Sequence, residues 1–320
     1  IGTFVIAFTE QYSIAIFGRF LQGFGSAFAL VGTLKIASQW FSSNRFSLVL
    51  GLCMSAGILG ALSGLFLLNT CMTYLPWQEI LFILAFLGCL LALFFIYIPT
   101  PKKSSYPGLG SPAGLAKKPC FVMPIDQYFL KFRLTLKKPG FWLTSVISTL
   151  MYLPTVMLMT QWGAPYMQVF RHYTGHQGLT TSYMIFLGWA IGAPIFGWLS
   201  DHWDIRLKLI FSGTFCALLL STALLYDPAL SYVWVFIFCV LLGFFASSQM
   251  LTFTIAKDLA SPPLIGISFG FMNAFVMLFL ALFQLVVNLF LDDAFKGGQY
   301  DSNSFVHPHL ISSYQSTMTL

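Results

Sequence analysis

Arg19 stands inside a run of apolar residues that extends over about 14–37. A guanidinium is costly in hydrocarbon, so an arginine there marks a solute pathway, a polar partner, or a side chain that snorkels to the water interface. Gln22 follows three residues later on nearly the same helical face, where its amide can share whatever Arg19 touches. Lys35, near the other end of the run, can snorkel to the nearby interface or contact a substrate. A second set, Tyr152, Gln161, Trp162 and Tyr166, lies on the run 141–168, which also carries Pro154. A proline there kinks or unwinds the helix and frees carbonyls that need a polar setting. The amide and the aromatic groups suit a mostly apolar ligand with a few polar atoms, or the rings belong to an interfacial belt. Gln249, with Ser247 and Ser248 beside it, and Asn273 and Gln284 are further polar groups in apolar runs. They line a pathway or join helices by hydrogen bonds.

What is missing narrows the chemistry. None of the ten Asp and Glu lies in the middle of an apolar run. A proton-coupled carrier needs a carboxylate that titrates within the membrane. Here it would be an end residue such as Glu10 or Glu79, lie outside this sequence, or not exist. No His lies inside a run, which leaves intramembrane hydrolysis without an acid–base pair. There is no GxxxxGK[ST] loop to drive transport with ATP. The six Cys form no CxxC pair and read as small packing residues. No enzyme activity, cofactor or metal site is expected.

The elements that would carry these groups are membrane spans. Of the 320 residues, 58% are hydrophobic and 8% charged, and the mean hydropathy is +0.81. A soluble domain is nearer a quarter charged, so the bilayer is the solvent for most of this chain. Residues 1–9 are the tail of a span. Eight complete spans follow, at about 14–37, 48–72, 76–98, 141–168, 181–199, 209–225, 232–256 and 265–291. Between the third and fourth lies a proline-rich segment, 99–139, that holds eight of the sixteen Lys and Arg. With that segment placed in the cytoplasm and the sides alternating, twelve cations fall on the cytoplasmic side and two, Arg171 and Lys296, on the other. That bias supports both the span count and the orientation. A weak repeat at an offset of 219 residues pairs Thr33 with Thr252, Ile36-Ala37 with Ile255-Ala256, and Gly51 with Gly270. Parallel halves joined by a cytoplasmic loop are a transporter plan.

Two motifs carry a family resemblance. Gly18-Arg19-Phe20-Leu21-Gln22-Gly23-Phe24-Gly25 is similar to the RxxxGxG pattern in the fourth helix of the major facilitator superfamily. Gly197-Trp198-Leu199-Ser200-Asp201, followed by Arg206 and Lys208, resembles the family's loop after the eighth helix, with Asp204 where a Gly is usual. The stretch from Gly188 to Pro194 looks like the eighth helix of bacterial members that take up metabolites. The resemblance implies an all-α polytopic fold of two six-helix halves, with the spans as helices 4 to 11 and residues 1–9 as the end of helix 3. The first two helices and the twelfth would lie outside this sequence. Residues 1–98 would be part of the N-terminal half, 99–139 the cytoplasmic linker, and 140–320 the C-terminal half.

The implied function is secondary transport of a small organic metabolite by alternating access, in the cytoplasmic (inner) membrane. Uptake is favoured, with a coupled proton or ion as a further partner and a monomer as the unit. The alternatives are efflux of drugs or metabolites on the same fold, or a truncated remnant that transports nothing. Helix 5 lacks the GPxxGG-type proline of drug antiporters, which leans against efflux. By resemblance Arg19 faces the central cavity. Asp201, Arg206 and Lys208, with Gly197, form a cytoplasmic gate in which Asp201 pairs with basic groups; otherwise they are an ordinary basic loop. Gly60xxxGly64 and Gly188xxxGly192 are small-residue stripes for close packing. The family adds that helices 5 and 8 meet there and rock.

Overall fold

A computed structural model describes residues 1–9, 11–42, 45–97, 125–160, 163–227, 229–261 and 264–296. Gln161, Trp162, Glu10 and most of the linker fall outside the described residues. Among those described, every regular element is helical. A backbone in hydrocarbon has no water to bond with, and a helix satisfies its own polar groups.

The elements are α1 (Gly2–Phe8), α2 (Tyr12–Trp40), α3 (Phe46–Cys71), α4 (Trp77–Tyr97), α5 (Ile125–Leu136), α6 (Pro139–Thr160), α7 (Gly163–Arg171) and α8 (Gly175–Trp203). They continue with α9 (Arg206–Tyr226), α10 (Tyr232–Ala246), a 3-10 turn (Ser247–Met250), α11 (Leu251–Leu259) and α12 (Ile265–Lys296). Among the described residues, eight helical stretches are long and apolar enough to cross a membrane, with α10, the 3-10 turn and α11 counting as one. Phe20, Phe24, Phe28, Phe211 and Leu218 are largely exposed on these helices. Large apolar groups on the outside are what a hydrocarbon solvent selects.

The element ends have local causes. Pro76 precedes α4, and its carbonyl accepts from the amides of Glu79 and Ile80. Thr174 and Gln177 close a reciprocal capping box at the start of α8. The end of α8 turns at Asp204, with φ 52° and ψ 34°, and the Asp204 amide donates to the Ser200 carbonyl. Asp and Asn tolerate this left-handed conformation better than most residues. The Asp that replaces the family's Gly therefore keeps the turn.

Two expected spans differ. Over the run 141–168 the described residues lie in α6 and α7, and Pro154 lies within α6 without ending it. The span 232–256 reaches Leu259 and contains the 3-10 turn.

The described residues cluster in two compact units. The smaller holds Ile1–Ser42 and Gly60–Phe121. In it, α1 packs on α2 and α4. Gly2 and Gly18 permit the approach, since a Cβ on Gly2 would lie 2.5 Å from the Gly18 carbonyl oxygen. Phe4 and Phe8 meet Phe82 edge-on.

The larger unit holds Ser43–Leu59 and Val122–Leu320, so the first half of α3 belongs with the later helices. Its main seam joins α8 to α10 through glycines. A Cβ on Gly188 would overlap the Val240 carbonyl, one on Gly192 the Phe244 carbonyl, and one on Gly243 the Ile185 carbonyl. Gly60 and Gly64, in contrast, have no atom within 4 Å of a Cβ position. The later stripe packs on α10.

Candidate functional site

A ladder of small residues joins α3 to α8. Gly197 lies against the first turn of α3, and a Cβ on it would overlap the Ser47 carbonyl. One turn along, a Cβ on Gly51 would lie 2.9 Å from Pro194 Cα and overlap the Ala193 carbonyl. A further turn on, the Ser55 hydroxyl donates to the Ala190 carbonyl. The α3 positions 47, 51 and 55 recur every four residues, as one helical face requires. The numbers fall on α8 as they rise on α3, so the two helices run antiparallel. Small residues let the backbones approach this closely.

Asp201 sits at the top of that ladder. Its carboxylate accepts from the Ser47 amide at 3.3 Å and the Leu48 amide at 2.8 Å. These amides belong to the first turn of α3, where no intrahelical partner exists. The positive end of the helix dipole lies at the same place and favours an anion. Asp201 is thus a cap supplied from about 150 residues away. Its hydrogen-bond partners here are backbone amides, and the Lys257 ammonium also feels its charge.

The same turn of α3 is held from other sides. Phe46 is fully buried, stacks on Phe269 with ring centroids 6.1 Å apart, and lies under the Lys257 ammonium at 4.2 Å. Such a cation over a ring is favourable when water is excluded. Ser47 Oγ and Thr254 Oγ1 are 3.2 Å apart. Arg206 forms an ion pair with Asp258 and a longer one, 3.6 Å, with the exposed Asp204. Lys208 is exposed and takes part in neither pair. Of the expected gate residues, Gly197 and Asp201 therefore touch α3, Arg206 ties the start of α9 to α11, and Lys208 stands apart. Lys257 itself is buried in the last turn of α11. Its spacing from the aromatic Phe46 carries no sequence signature.

The other expected residues separate into three places. In the smaller unit, Arg19 Nη1 donates to Gln22 Oε1 at 3.5 Å, and Gln22 Nε2 donates to Thr3 Oγ1 at 2.9 Å. The structure brings Arg19 and Gln22 together, with Arg19 exposed. In the larger unit, Gln249 is buried in the 3-10 turn, and its amide donates to Ser148 Oγ at 2.7 Å. The Thr252 hydroxyl donates to the Gln249 carbonyl at 2.6 Å and lies 3.0 Å from Ser148 Oγ. In this conformation Gln249 joins α6 to the interrupted helix. Tyr152 packs on the cluster of Leu153, Met157 and Leu280, and Asn273 is half-buried on α12.

At the other end of α8 the structure holds a second clamp that the sequence reading missed. Arg171 donates to the carbonyls of Leu224 at 2.9 Å, Asp227 at 2.7 Å and Leu230 at 3.3 Å. These acceptors sit at the end of α9 and just beyond it, where a cation complements the helix dipole. Tyr166, read as a ligand contact or a belt residue, is instead fully buried and donates to the Leu225 carbonyl at 2.6 Å. Beside them, burial pushes the Tyr173 phenol above the usual tyrosine range, which Arg171 only partly offsets. The one hint in the sequence is that Arg171 is one of two cations on the side that has almost none.

Among the described residues no group of three His, Cys, Asp or Glu could hold a metal. An uncharacterized protein of Campylobacter jejuni is 30% identical over 94 residues, a stretch that covers 29% of this chain and 29% of that relative. The chain therefore matches less than a third of that relative's length. A model of the Major Facilitator Superfamily matches residues 1–283, an all-helical membrane fold like the one described, and the chain belongs to the Major Facilitator Superfamily.

Proposed function

We propose that the protein is a secondary transporter that moves a small organic metabolite across the cytoplasmic membrane by alternating access. The observation that carries this reading is the Asp201 carboxylate on the first turn of α3. By the family's helix order α3 is helix 5 of the first half and α8 is helix 8 of the second. A charged cap and a glycine ladder between halves make a contact that is specific, polar at one end and breakable. A helix cap contributes about 1 kcal/mol, enough to bias two access states without locking either. Gly197 and Asp201 form the latch, with Arg206 holding the loop in place.

Arg19 and Gln22 supply polar contacts for the substrate. Tyr152, Gln161, Trp162, Gln249 and Asn273 are the further lining candidates on the second half. Uptake is the favoured direction, from the likeness of Gly188–Pro194 to metabolite importers. Protein reconstituted in vesicles, given amino acids, nucleosides, sugars and carboxylates with and without a proton gradient, tests the reading. Flux of one class that Arg19→Ala reduces supports it. The absence of gradient-driven flux for every class would leave the non-transporting alternative, and flux only outward would favour efflux.

A further inference from the structure

Helix α5 is too short to span a bilayer, at 12 residues, and its two faces differ. Phe132, Thr135 and Leu136 point inward, with Phe132 edge-on to Phe271 of α12. Leu130 and Leu134, one turn apart, point outward and are 58% and 52% exposed. Arg133 and Lys137, also exposed and also one turn apart, run along the same outward face. Beside them an open groove of about 400 Å³ is lined by Leu130, Phe132, Arg133 and Leu136.

The position of this helix is fixed. The Trp142 indole donates to the Leu136 carbonyl at 2.6 Å and meets Phe271 and Phe275 edge-on. The Lys138 ammonium donates to the Leu259 carbonyl at 2.7 Å, at the end of α11. Membrane span α6 starts at Pro139, three residues after α5 ends. The helix therefore lies where a span leaves the hydrocarbon, with leucines and cations side by side on its free face.

We infer that α5 is an interfacial helix that binds anionic phospholipid. The leucines enter the acyl region, a chain lies along the groove, and Arg133 and Lys137 meet the headgroup phosphates. Leucines flanked by cations suit an anionic lipid surface, which attracts basic segments beside a span. The segment 99–139 holds eight cations against one acid, so its charge complements such a surface and no neutral one. This inference is independent of the transport reading.

The test uses the whole chain. Native mass spectrometry of the purified protein reads its retention of phosphatidylglycerol against phosphatidylcholine. The wild type is expected to prefer phosphatidylglycerol, and R133Q and K137Q are each expected to weaken retention about fivefold. In bilayers, a nitroxide on L134C in a cysteine-free chain is expected to be more accessible to oxygen than to a water-soluble nickel chelate. Equal retention by the variants would overturn the inference, as would a nitroxide that faces water. Displacement of phosphatidylglycerol by inorganic phosphate would assign the cations to a soluble anion and also overturn it.

Discussion

Two charged contacts flank α8 and work in opposite ways. At its end, the Asp201 carboxylate accepts from the amides that begin α3. Just before its start, Arg171, the last residue of α7, donates to the carbonyls that end α9. Each charge complements a helix dipole. They differ in what they join. The Asp201 contact spans about 150 residues and links helices that the family places in different halves. The Arg171 contact spans 53 to 59 residues and links α7 to the end of α9. Asp201 is half-buried and uses two bonds, backed by a ladder of small residues. Arg171 uses three, with Tyr166 buried next to it. In the proposed transport cycle the first would be a latch that opens and the second a brace that stays shut.

The sharpest way to break this contrast is steric. Gly197→Leu would drive a side chain into the Ser47 carbonyl, an overpacking of about 1–3 kcal/mol placed on the latch itself. Flux in vesicles should fall about tenfold or more. Gly60→Leu should leave flux unchanged, because nothing lies within 4 Å of its Cβ position. Arg171→Ala removes three charged hydrogen bonds. It should lower stability by about 2 kcal/mol, read as a drop in melting temperature, with little change in the balance of access states.

Asp201→Ala should do the reverse: a small loss in melting temperature, but a shift of access states by about 1 kcal/mol, or about fivefold. Asp201→Asn keeps one acceptor and should fall between. Lys257→Met, which removes the cation over Phe46, should shift the same balance by about 0.5–1 kcal/mol. Lys208→Gln should change neither quantity. If Arg171→Ala moved the access states as much as Asp201→Ala, latch and brace would not be distinct.

The sequence made some of this legible and not the rest, for physical reasons. Long apolar runs are visible because the bilayer imposes length and composition, so all eight spans were found. Their ends moved by a few residues where caps decide, as at Thr174 and Asp204. The interruption at Ser247–Met250 was invisible, since a 3-10 turn needs no special residue.

Asp201 was singled out from its motif. Its partners were not, because backbone amides are the same at every residue. The same holds for the carbonyls that Arg171 finds. For Gly60 and Gly64 the spacing matches a packing stripe, but spacing says which residues share a face and not what the face meets. Arg19 and Gln22 came together because three residues along a helix fix their proximity.

The latch is tested most directly by the distance between α3 and α8. Spin labels on L52C and W198C, both at exposed positions, report that distance by pulsed electron resonance in bilayers. The wild type should show a dominant short distance and a minor long one, and Asp201→Ala should raise the long population about fivefold. An identical distribution in the two proteins would contradict the latch.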